Sequence, residues 1–188
     1  MTAFTTEKID VEPWFDMELF MGVSQETRLG GDVMERFMAL WKNWLPHLTV
    51  KGIDTGKIKY LLVALDESVE QDVDKAWEGS PSNAFLYNAL AQTMCMAAVH
   101  AVIPEVQDAG CAPAPKPTAA LREALEAEGI PYSNDKDPIL SRRYAVVTHY
   151  PFKGGCEICV LQSNCPKGQG QMEAASVVLP GYEHPQQM

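Results

Sequence analysis

The chain has 188 residues, 46% of them hydrophobic and 21% charged, enough for one ordinary domain with its own core and too apolar for a disordered chain. Its formal net charge of −10 argues against general binding to phosphate backbones or anionic lipid heads. Five cysteines, three of them within ten residues, argue against a disulfide framework and for reduced thiols in the cytoplasm. The start of the chain lacks the basic-then-apolar pattern of a secretory signal, and no apolar run reads as a membrane span.

In chain order, residues 1–12 read as a flexible polar arm, with apolar content beginning at Pro13, Trp14 and Phe15. Asp32 and Glu35 match a capping box, and Val33, Phe37, Leu40, Trp41 and Trp44 follow at helical spacing until Pro46. The apolar run 58–65 has the length of a strand covered on both faces. Asp66 to Trp77 reads as an acidic surface helix, broken at Gly79. Ser80 and Pro81 open a long core helix that Pro104 stops. Gly110, Cys111 and the alternating Ala-Pro stretch form a stiff connector, followed by a helix over 118–128 that ends at Gly129. The turn-rich segment 131–141, with Asp135 and Asp137, is a loop, and 143–150 reads as a second strand.

These elements predict a single domain over 1–188 of the α/β or α+β class. It has a small sheet packed with about four helices, then a C-terminal cysteine-rich metal loop over 149–166. The helices between the two strands permit parallel pairing. Residues 180–188 read as a flexible tail holding His184, and 174–179 as a short edge strand.

The chemistry-bearing segment is Gly154-Gly155-Cys156-Glu157-Ile158-Cys159-Val160-Leu161-Gln162-Ser163-Asn164-Cys165-Pro166. Cysteines three positions apart can wrap a turn of chain around a metal, and the third returns after a longer arc. Backbone amides between them can point at thiolate and sulfide sulfur, stabilising a cluster's negative charge. Gly154 and Gly155 permit close approach of the chain, and Pro166 sets the exit direction. The C-x2-C-x5-C spacing resembles the [4Fe–4S] loop of the endonuclease III and MutY family of DNA glycosylases, whose pattern is C-x6-C-x2-C-x5-C. It is also similar to the C-terminal part of the cluster motif in AddB and Cas4 type nucleases. The resemblance covers little more than ten residues and implies a cluster held by Cys156, Cys159 and Cys165. In the glycosylase spacing the first ligand would fall at His149. Upstream there is no helix-hairpin-helix motif and no catalytic pattern of either group, so a DNA-repair role is the weakest functional reading.

Cys111 is the first candidate for a fourth ligand and His149 the second. Cys95 lies inside an apolar helix, and His100 follows it at i+5, a poor helical metal pair. Zinc on His149, Cys156, Cys159 and Cys165 is the alternative to iron–sulfur. No G-x-G-x-x-G, Walker, G-x-S-x-G or S-x-x-K pattern is present. The sequence therefore predicts an iron–sulfur protein for electron transfer, redox sensing or an accessory role in a redox enzyme, with a basic redox partner protein. An enzyme with a catalytic open iron and a zinc-stabilised interaction module stand as alternatives.

Overall fold

A computed structural model describes residues 4–134, 138–165 and 168. Pro166, Asp135, Asp137, residues 174–179 and His184 lie outside them. The fold is a mixed α/β arrangement of the α+β type. Among the described residues there are four strands, β1 (Thr5–Lys8), β2 (Leu48–Asp54), β3 (Lys59–Leu65) and β4 (Ala145–His149). The helices are α1 (Met17–Ser24), α2 (Gly31–Trp44), α3 (Glu67–Gly79), α4 (Pro81–Val102), α5 (Pro104–Ala109) and α6 (Ala119–Ala127).

The sheet order is β1-β2-β3-β4 and every pairing is antiparallel, which corrects the parallel option read from the intervening helices. The reason lies in β2, whose pattern Leu-Thr-Val-Lys-Gly-Ile-Asp is too polar to stand out as a strand. It pairs with β3 through a tight hairpin in which Gly56 takes a left-handed φ of 77° and donates its amide to Asp54 Oδ1 at 2.7 Å. The amino-terminal segment read as an arm supplies β1, an exposed edge strand on β2.

Strand β3 is covered on both faces, as its unbroken apolar run demands. Leu61, Val63 and Leu65 point into a core built with Phe20, Phe37, Trp41, Trp44, Val69, Val73, Leu90, Met94 and Val106 from α1 to α5. Tyr60, Leu62 and Ala64 face a second, smaller core with Leu121, Ala124, Leu125, Ile130 and Tyr132. Each fully buried large side chain contributes roughly 1.5–3 kcal/mol from removal of apolar surface from water.

Helix α4 starts where the sequence places it, with Ser80 Oγ accepting from Asn83 N at 3.4 Å and Pro81 in the first turn. By length and composition it is apolar enough to cross a bilayer, yet 50% of that window is buried inside this fold. The capping box expected at Asp32 and Glu35 is absent. Helix α2 begins earlier at Gly31, Gly30 is the cap without a side-chain bond, and Asp32 already lies in the first turn. Two short helices escape the sequence reading: α1, capped by Asp16, and α5, which restarts at Pro104 after the break.

Candidate metal centre

Strand β4 delivers the chain to the cysteine loop. Tyr150 N donates to Lys59 O at 3.0 Å, the Tyr150–Pro151 peptide is cis, and Tyr150 and Phe152 pack against the larger core. The loop then turns at Gly154, whose φ of 57° is left-handed. Glu157 folds back so that its Oε1 accepts from Gly155 N at 2.9 Å, and a Cβ on Gly154 would overlap that carboxylate. This bond, with a second from Glu157's own backbone, holds the carboxyl below its ordinary range. The glycine pair thus serves a carboxylate in this conformation.

The cysteines sit on successive tight turns. Short 3₁₀ turns cover Cys156–Ile158 and Gln162–Asn164. Cys159 N donates to Cys156 O at 3.1 Å, Gln162 N to Cys159 O at 3.1 Å and Cys165 N to Gln162 O at 3.4 Å. Cys156, Cys159, Gln162 and Cys165 are therefore linked by consecutive i to i+3 bonds, the wrapping expected from C-x2-C extended over the whole motif. All three cysteines are half-buried and none forms a disulfide. Among the described residues, no three His, Cys, Asp or Glu side chains are grouped to hold a metal ion. The thiols are free and close in sequence, at three of the four positions these bonds join, without being gathered at a point.

The connector carrying Cys111 runs beside this loop. Val160 N donates to Ala114 O at 3.0 Å, and the buried Thr148 Oγ1 donates to Pro113 O at 3.0 Å. Gly110, left-handed at φ 68°, ends α5 and turns the chain into half-buried Cys111, while Ala112 packs on the larger core. The tie from Ala114 to Val160 has no counterpart in the local pattern and could not be read from the sequence.

His149 lies elsewhere. Side chains alternate along β4, so with Thr148 turned to the connector, His149 faces the smaller core. Its ring rests 5.5 Å from that of Tyr60, its cross-strand partner, and its Nδ1 is buried without a hydrogen-bond partner. Burial, with nearby Lys153, lowers its pKa below the ordinary 6.5. Cys95 is a core thiol: Sγ donates to Tyr144 O at 3.6 Å, and burial pushes its pKa up to about 12.

One other polar constellation invites a catalytic reading and fails it. His47 Nδ1 meets Asp66 Oδ2 at 2.6 Å and Ser68 Oγ at 3.2 Å. Serine and aspartate share the same ring nitrogen, whereas nucleophilic catalysis needs them on opposite nitrogens. Asp66 also caps α3 through Ser68 N at 2.9 Å, which gives the group a structural role.

Comparison of the chain with protein-family models, with curated proteins and with solved structures gives no match.

Proposed function

We propose that the chain is a small iron–sulfur protein of the cytoplasm, holding a [4Fe–4S] cluster on Cys156, Cys159 and Cys165, with Cys111 as fourth ligand. It passes or senses electrons in concert with a basic partner protein. The observation that carries the reading is the set of three reduced, half-buried thiols wound on consecutive turns at C-x2-C-x5-C spacing. No other residue type in this loop offers comparable metal affinity. Because the sulfurs are not gathered beforehand, binding and closure of the loop are one event, as in metal sites whose ligands converge only on the ion.

Cys111 is preferred to His149 for a geometric reason. The connector is tied to the cysteine loop through Ala114 and Val160, while His149 projects to the other side of β4. The same fact weighs against zinc on three cysteines and His149. A net charge of −10 favours a partner presenting a basic surface, since opposite fields steer encounter.

The test is anaerobic purification with iron, acid-labile sulfide and zinc analysis, visible absorbance and EPR of the reduced protein. A brown protein with iron and sulfide in equal amounts supports the reading. Colourless protein carrying one zinc per chain replaces it with the interaction-module reading, and colourless protein without metal removes both.

A further inference from the structure

A groove of about 450 Å³ runs between α1, α4 and Gly110 at the end of α5. Its floor is apolar, from Leu19, Val23 and Met96, and its polar groups are Asp16, Glu18, His100 and Gln107. Asp16, His100 and Gln107 also line an adjoining recess of about 90 Å³, whose rim is Trp14. The two spaces share Asp16, His100 and Gln107 and form one composite site of small-molecule size, in which polar and apolar groups are mixed about evenly.

Its charge is one-sided. Two carboxylates line it and neither Lys nor Arg does. One oxygen of Asp16 is engaged at 3.0 Å by Leu19 N as the α1 cap. Burial lowers the pKa of His100, although Asp16 opposes this, so the imidazole adds little positive charge near neutrality. Trp14 is 71% exposed, unusual for the largest apolar side chain, and its backbone is fixed because Trp41 Nε1 donates to Pro13 O at 3.1 Å. An exposed indole and a carboxylate lining one recess, next to a groove with an apolar floor and a second carboxylate, suit an alkylammonium group, by cation–π and Coulomb attraction together.

We infer that this groove binds a small organic cation, an ammonium group carried on an alkyl chain, with the charged head at Asp16 where the recess of Trp14 meets the groove, the chain along Leu19, Val23 and Met96, and Glu18 adding negative charge along the groove. The site stands on residues separate from the cysteine loop and does not depend on it.

Gly22 gives a clean way to close the groove. It lines the floor, and a Cβ added there meets nothing within 4 Å. A larger residue also suits a helix interior better than glycine does. Hexyltrimethylammonium and hexanoate are titrated calorimetrically into the full chain and its variants at 150 mM salt, with circular dichroism as the folding control. The expected result is saturable binding of the cation at one per chain and none of hexanoate. Trp14→Ala and Glu18→Gln should each weaken the cation about two- to fivefold, and Gly22→Phe should abolish binding. Should Gly22→Phe fail to fold, Glu18→Lys decides instead, by reversing the charge at the mouth. Absence of saturable binding, equal binding of hexanoate, or unchanged affinity in Trp14→Ala and Glu18→Gln overturns the inference.

Discussion

The amide of Val160 donates to the carbonyl of Ala114 at 3.0 Å, joining two segments 46 residues apart in sequence (160 minus 114). This bond, with Thr148 on Pro113, ties the connector to the end of β4 and to the middle of the cysteine loop. In the proposed reading, this tie is the reason for preferring Cys111 to His149 as a fourth ligand.

The ligand set is testable by substitution. Cys156→Ala, Cys159→Ala and Cys165→Ala should each abolish iron and sulfide retention. Cys111→Ala should lower iron below that of a complete cluster and change the EPR signal, and His149→Gln should leave both intact. If Cys111→Ala keeps its full iron, the cluster has an iron free of protein ligands and the open-iron enzyme reading gains.

Gly154 should resist substitution. Alanine at its φ of 57° costs about 1–2 kcal/mol in backbone strain, and its Cβ would also strike Glu157. Gly154→Ala should lower cluster yield, and adding Glu157→Ala should restore only the part due to the clash. Iron content per chain, measured side by side, separates the two.

Thr148 is fully buried, and its hydroxyl donates to Pro113 O at 3.0 Å. Thr148→Val should destabilise the fold by about 1–3 kcal/mol, because the carbonyl loses that donor. Urea denaturation reads this directly. In the main core, Leu90→Ala should cost about 2–5 kcal/mol, whereas Met38→Ala, at a side chain 50% exposed, should stay within about 0.5 kcal/mol.

Stability should fall in two acid steps. His149 is held below the ordinary 6.5 by burial, and by Lys153 nearby, so the unfolded chain takes up its proton first. Its contribution is complete above 6.5 and is lost as pH drops from there through the folded value. Burial pushes the Asp66 carboxyl upward, but bonds from Ser68 and His47 outweigh it and leave the folded value below 3.8. That contribution is present above 3.8 and vanishes as pH falls through the lower folded value. Thermal melts from pH 8 to 2 should show both declines. His149→Gln should reduce the upper one, which His100 shares, and Asp66→Asn the lower one, which Asp54, Asp74 and Glu157 share, since each of these is also held below its ordinary value.

Much of the helical fold and all of the candidate thiols were legible in the chain. The spacing of Phe37, Trp41 and Trp44, the Ser80 cap, the breaks at Gly79 and Gly129 and the apolar run of β3 are local signals, set by contacts within a few residues. So is C-x2-C-x5-C, whose turns are closed by i to i+3 bonds. The polar strands β1 and β2 were not legible, because their pairing is set by partners across the sheet. Nor was the side of β4 on which each candidate fourth ligand falls. Strand direction, the facing of Thr148 and His149, the tie from Ala114 to Val160 and the groove below Trp14 arise only when distant segments pack. Local sequence specifies short-range bonds, whereas register and apposition depend on which surfaces the whole chain buries together.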